Sequence, residues 1–248
     1  MGAGAGLRGI PRAAAFAYAD PMTADEQKRA TGEAAAALVE DGMVVGLGTG
    51  STAAWFVKAL AARRLDIRSV PTSVATAELA ASLGMRLTSL DEVTSIDLTV
   101  DGADEIGPGL SLIKGAGGAL LREKLVWEAS KRCVCIADAG KVVARLGAFP
   151  LSIEVVAFAH KTTALRICDA LGDCDIGIPP RLRLKDGKPV ATDGGNLIYD
   201  AACGVIADPA RLAEALKSVT GVVDHGLFLD LADEALVGRE TGVERLVP

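Results

Sequence analysis

MVVGLGTGSTAAWFVKAL, residues 43–60, decides the fold. Met43 to Val45 is a short apolar, β-branched run that reads as a buried strand. Gly46, Gly48 and Gly50 form a tight loop, and Ser51 and Thr52 open a helix that runs to about Ala62. Strand, glycine loop, helix start is an arrangement that leaves backbone N–H groups unpaired at the positive end of a helix dipole, so it binds anions. The hydroxyls of Thr49, Ser51 and Thr52 add donors. A dinucleotide fingerprint needs a third glycine and an acid after the second strand. GLGTGS has no such third glycine, and Asp66 precedes the next strand. A small phosphate site is the better reading of this turn.

Working outward, Thr23 and Glu26 have the spacing of a capping box, and the helix they open is expected to end at Gly42. Downstream, Ile67 to Val70, Met85 to Leu87, Ile96 to Val100 and Val134 to Ala137 read as further strands. A helix over 75–83 lies among them. Strands and helices alternating at this spacing give βαβ units and a mainly parallel, Rossmann-like sheet with helices on both faces. Such sheets bind ligands beyond the C-terminal ends of their strands. The glycine loop, Thr72-Ser73, the acids after Val100 and the turn Ala137 to Lys141 all fall at that edge.

The acids belong to DGADEIGPGLSLIKGAGGALLREK, residues 101–124. Asp101, Asp104 and Glu105 sit where a strand ends. Lys114 stands on the turn Gly115-Ala116-Gly117-Gly118, and Glu123 and Lys124 lie in the first turns of a helix. Carboxylates at a strand end, a lysine on a glycine loop and a carboxylate near a helix start suit proton transfer on an anionic small molecule. Glu123 is the candidate base, because burial tunes a carboxylate toward working pH. Lys114 can place a cation on a developing oxyanion. Asp101 and Asp104 can handle hydroxyl protons and ring opening.

Composition changes at Phe149-Pro150. Residues 151–159 read as a strand, 162–171 as a helix, 179–184 and 196–200 as strands around a turn at 185–187, 209–218 as a helix and 221–224 as a strand. The order β-α-β-β-α-β is that of a small ferredoxin-like α+β domain. The expected division is a catalytic domain over 22–149, to which 225–248 returns, a second domain over 150–224, and an Ala/Gly-rich tail over 1–21. Arg8 and Arg12 make that tail either a disordered extension or a targeting peptide.

The chain has 248 residues and a net charge of −6, with no run of Lys and Arg. Nucleic acid as a partner is therefore not expected. No apolar run reaches the roughly 20 residues of a membrane span. Five cysteines without CxxC spacing read as reduced thiols, with Cys133 and Cys135 on one face of a buried strand, and the chain is expected in the cytoplasm unless the tail directs it to an organelle. His160 and His225 are far from each other and from the acids in the sequence, which supports neither a hydride-shift metal site nor a Ser-His-Asp triad.

GLGTGSTA (46–53), PTS (71–73), VDGADEI (100–106), KGAGGALLREK (114–124), ADAGK (137–141) and DGGN (193–196) together resemble the type A ribose-5-phosphate isomerase family, in order and nearly from Met22 to Val247. VDGADE followed by KGxGGAxxREK is the specific part. The resemblance implies aldose–ketose isomerisation of a sugar phosphate through a cis-enediolate, with no metal and no nucleotide cofactor, in a homodimer or homotetramer. It implies catalytic roles for Glu123, Asp101, Asp104 and Lys114. It implies substrate contacts at Thr49, Gly50, Ser51, Thr52, Gly102, Ala103, Gly115, Ala116, Gly117 and Lys141, with Lys28 as a further phosphate candidate. Rival readings are an amino-sugar-phosphate isomerase, a coenzyme A transferase using Glu123 as nucleophile, and a non-catalytic sugar-phosphate sensor. The last needs a DNA-binding helix pair for which residues 1–42 have no room.

Overall fold

In the computed structural model, which describes residues 21–248, six strands form a central sheet in the order β15-β14-β6-β3-β1-β2. These are β1 (Val44–Leu47), β2 (Arg68–Pro71), β3 (Leu98–Gly102), β6 (Cys133–Asp138), β14 (Glu234–Arg239) and β15 (Gly242–Leu246). All pairings are parallel except that of β15 with β14. β1 lies between β2 and β3, so the chain leaves it first to one side and later to the other. That reversal opens a crevice at the strands' C-terminal ends.

The helices α1 (Ala24–Ala36) and α2 (Ser51–Ala62) cover one face, and α3 (Val74–Ser82) packs beside α2. Phe56 and Leu60 of α2 and Ala35 of α1 are buried against Val45, Val100 and Ile136. Helix α4 (Leu120–Glu128) covers the other face, where Trp127 packs edge-on against Phe228 and meets Cys133 and Cys135. The two cysteines share a face because strand side chains repeat every second residue.

Several expected elements fall short; the strand over 151–159 ends at Val155 and that over 179–184 keeps only Arg181–Leu182 before the next hairpin. Helix α1 ends at Ala36, not Gly42, and the polypeptide turns before β1. The Thr23–Glu26 capping box at its start is present in both directions. Met85–Leu87 is reduced to a single parallel bridge between Leu87 and Ser69 on edge strand β2.

Three short strands, β4 (Glu105–Ile106), β5 (Leu112–Ile113) and β13 (Leu227–Phe228), form a separate ribbon. The second half adds β7 (Leu151–Val155), α5 (His160–Gly172), β8 (Arg181–Leu182), the hairpin β9 (Leu184–Lys185) and β10 (Lys188–Pro189), β11 (Leu197–Ala201), α6 (Pro209–Lys217) and β12 (Val222–His225). The sheet order β12-β7-β11-β8, antiparallel throughout, is the ferredoxin-like one expected. Strand β7 explains how this sheet is placed. Its odd-numbered Leu151, Ile153 and Val155 pack under α5 and α6, with Ile167 and Leu212. Its even-numbered Ser152 and Glu154 are buried polar residues on the opposite face, which packs on α4.

Candidate active site

Four strand ends and the first turns of α2 and α4 converge on a cavity of about 190 Å³. β1 delivers Thr49 and Gly50, β3 delivers Gly102, Ala103 and Asp104, β5 delivers Lys114 and its loop, and Lys141 follows β6. Ser51, Thr52, Gly115, Ala116, Gly117, Glu123 and Lys28 complete the wall. Every expected site residue therefore lines the cavity except Asp101.

Lys114 is the centre of this arrangement. Its backbone N–H donates to Gly226 O at 2.9 Å, which fixes the end of β5 against the start of β13. A Cβ on Gly226 would collide with the Lys114 carbonyl, so only glycine allows that approach. The ammonium is buried, donates to Gly102 O at 2.5 Å, and stands 3.0 Å from Asp101 Oδ2 and 3.3 Å from Glu123 Oε2. It also faces the rings of Trp127 and Phe228 at 5.6 and 5.4 Å.

Asp101 lies behind the lysine, fully buried. Its Oδ1 accepts from the Thr49 and Gly102 N–H groups at 3.0 and 2.7 Å. Its carboxylate nests against Gly48, where any Cβ would overlap it. Asp101 is absent from the cavity lining, and its Oδ2 faces Lys114, which does line it. Asp104 does line the cavity, and its Oδ2 accepts from the Ala116 N–H at 3.0 Å. Glu105, the third acid of the cluster, points elsewhere and accepts from the Gly147 and Phe149 N–H groups at 2.7 and 2.5 Å. It anchors the segment after Lys141, whose ammonium lies 5.8 Å from the Phe149 ring.

Two buried carboxylates around one ammonium cannot both ionise cheaply. Burial raises Asp101, against the pull of Lys114 and of its two amide donors. Burial, then the Asp101 charge, pushes Glu123 up to about 8, although Lys114 acts in the opposite sense. Burial tends to lower Lys114, but Asp101 and Glu123 outweigh it and hold the ammonium above its ordinary value. The site therefore contains a permanent cation beside a carboxyl that titrates near working pH.

At the other end of the cavity, α2 begins at Gly50, whose φ of 108° suits glycine alone, with no side-chain cap and no acid in its first turn. By contrast α1, α3 and α6 are capped by Thr23, Ser73 and Asp208. The open α2 amides, with Lys28 and Lys141 on the same wall, make this the anion-binding end. Thr49 adds less than expected. Its hydroxyl is taken up by Thr72, Ser73 and Thr76 at 2.7, 2.8 and 3.1 Å, and its N–H by Asp101. Thr49 locks the loop, and the free donors come from the residues after it.

Both histidines lie outside the cavity lining. His160 Nδ1 meets Tyr199 Oη at 2.8 Å. His225 is buried, and burial with the nearby Lys124 charge lowers it to about 4. Lys124 points away from Glu123 and pairs with Asp224 at 2.5 Å. Among the described residues, no group of three or more His, Cys, Asp or Glu side chains is arranged to hold a metal ion, and no helix is long and apolar enough to cross a membrane. The residue that the sequence reading missed is Arg183, which reaches the loop after Lys114 from the second sheet. Nothing local in RLRLKDGK, residues 181–188, marks it.

The pattern of the family described as Ribose 5-phosphate isomerase A (phosphoriboisomerase A) matches residues 68–242. Ribose-5-phosphate isomerase A of Caulobacter sp. (strain K31) is 73% identical over 227 residues, covering 92% of this chain and all of that protein. The crystal structure of ribose 5 phosphate isomerase A from Neisseria gonorrhoeae superposes with a TM-score of 0.85 at 37% identity, covering 92% of this chain and 99% of that one. A D-ribose-5-phosphate isomerase solved in complex with phospho-erythronic acid gives a TM-score of 0.85 at 38% identity, covering 92% of this chain and 100% of that one.

Proposed function

The chain belongs to the ribose 5-phosphate isomerase A family and interconverts ribose 5-phosphate and ribulose 5-phosphate, and on that premise we propose how its own residues carry the proton. Glu123, as carboxylate, removes the C2 proton of the open-chain aldose. The electron pair moves toward the C1 carbonyl and gives a cis-enediolate, whose charge the Lys114 ammonium offsets. Glu123 then returns the proton to C1, while the O2 proton leaves and O1 gains one, which leaves the C2 ketone. Asp104, on the cavity wall, is placed to relay between the two oxygens. Asp101 keeps Lys114 charged and aimed. The phosphate rests on the amides of residues 50–52 and on the hydroxyls of Ser51 and Thr52, between Lys28 and Lys141.

One observation carries this reading: a single buried ammonium lies within 3.3 Å of two carboxylates, one of them on the cavity wall. A relative solved with phospho-erythronic acid supports it, since that ligand sets a carboxylate beside a phosphorylated chain as an enediolate would be set. The test is ketose formation from ribose 5-phosphate with EDTA present. Substrate deuterated at C2 is expected to lose label to solvent, and full retention of label would replace proton transfer by hydride shift.

A homo-oligomer is proposed as well. Phe158, 87% exposed, and Leu165, 69% exposed, stand at the start and on the outer side of α5 and suit a second copy. Sedimentation velocity of the wild type and of Phe158→Ser measures this. A cytoplasmic location is proposed from the cysteine pattern, and a fluorescent fusion carrying the whole chain tests it. Residues 1–20 of the 1–21 tail lie outside the described residues.

A further inference from the structure

The loop after Lys114 is held from outside the cavity by one side chain of the second sheet. Arg183, just past β8, donates from Nη1 to the Gly115 carbonyl at 2.8 Å and to the Ala116 carbonyl at 3.1 Å. Its Nε donates to Asp200 Oδ2 at 2.8 Å, and its Nη2 donates to Ser152 Oγ at 2.6 Å and also pairs with Asp200 Oδ1. Strands β7 and β11 thus hold the guanidinium, and its remaining donors go to the loop. Gly115 has φ 119°, and a Cβ there would come 2.8 Å from the Ser152 Cβ, so the loop lies tight on the sheet. Arg183 is not among the residues that line the cavity.

In a trans peptide the C=O and the following N–H point in opposite directions. With Gly115 C=O on Arg183, the Ala116 N–H faces the other way, and there it meets Asp104 Oδ2. With Ala116 C=O on Arg183, the Gly117 N–H is turned away from the guanidinium, and Gly117 lines the cavity. A cation on the two carbonyls also polarises both amides as donors.

We propose that Arg183 is a positioning residue for the isomerisation: it sets the two peptide planes after Lys114 so that Asp104 and the Gly117 amide face the bound sugar. This rests on the isomerase reading of the site. The test compares the wild type with Arg183→Ala and Arg183→Lys on ribose 5-phosphate, with melting curves and with added guanidinium at non-denaturing concentration. The alanine variant is expected to lose about 10- to 100-fold in kcat with a smaller change in KM, the scale of a displaced catalytic loop. It should remain folded at assay temperature. Guanidinium should restore part of the loss, and sodium chloride of equal ionic strength none. Lysine should stay impaired, because a point charge cannot span both carbonyls and Asp200. Wild-type kcat in the alanine variant overturns the proposal. So does a loss that guanidinium does not relieve and that follows unfolding. Should the alanine variant fail to fold, full kcat in the lysine variant overturns it. A wild type that leaves ribose 5-phosphate unchanged sinks the isomerase reading itself.

Discussion

Glu123 concentrates the chemistry of the molecule in one titration. Its carboxyl is pushed up to about 8 by burial and by Asp101, so the free enzyme carries the active base only above that pH. kcat/KM is therefore expected to climb to a plateau through an acid limb near pH 8, read from a pH–rate profile on ribose 5-phosphate. The same shift makes a stability prediction. Between the ordinary value of 4.5 and about 8 the folded state keeps a proton that the unfolded state has lost. The contribution is complete below 4.5 and disappears as pH rises to 8. Glu123→Gln, which mimics the protonated form, should outlast the wild type in urea at pH 9 by on the order of a few kcal/mol and match it near pH 4.5. It should also lose several orders of magnitude in turnover while still binding ribose 5-phosphate by calorimetry. Retained turnover would remove Glu123 from its role. Asp101→Asn should lower turnover without touching substrate, because it frees Lys114 from one of its two carboxylates.

At the scale of elements, the loop between β1 and α2 carries two opposite requirements. Its backbone must come close to β3, and its amides must stay open. Gly48 meets the first, because the Asp101 carboxylate occupies the space where a Cβ would lie. Gly48→Ala is expected to cost about 1–3 kcal/mol in stability through overpacking, and to reduce activity because Asp101 must move. Thr23→Ala at the α1 cap is the contrasting case. It removes a capping box outside the cavity lining and should cost about 1 kcal/mol by thermal melting with kcat intact. Loss of activity in the second variant, or its persistence in the first, would contradict this account of the loop.

Taken whole, the two largest sheets of the molecule share one catalytic helix. Helix α4 packs the central sheet with Trp127 and the second sheet with Lys124, whose ammonium lies 2.5 Å from Asp224 and 2.8 Å from the His225 carbonyl. Burial lowers Lys124 against the pull of Asp224. Breaking such a pair strands a buried charge, so Asp224→Ala should destabilise by about 3–5 kcal/mol in urea titration. Equal stability would mean that the two sheets are not joined through this pair. The net charge of −6 opposes a phosphate ligand, and Lys28 and Lys141 on the cavity wall must overcome it locally. Lys141→Ala should accordingly raise KM and leave kcat nearly unchanged.

The sequence determined the parallel sheet, the ferredoxin-like second sheet, the edge that holds the site and the set of residues from which its wall is drawn. These follow from local signals: apolar runs of strand length, glycine loops before helices, and a spaced acid–lysine–acid motif. What tertiary structure alone decided is which of those groups touch the cavity and which stand behind it. Asp101 disappears under Lys114, the Thr49 hydroxyl turns to Thr72, Ser73 and Thr76, and Met85 to Leu87 meets edge strand β2 in one bridge alone. Arg183 reaches a loop 67 residues earlier in the chain. The reason is physical: burial and orientation depend on what packs against a residue from distant segments, and one residue's neighbours in sequence do not contain that information.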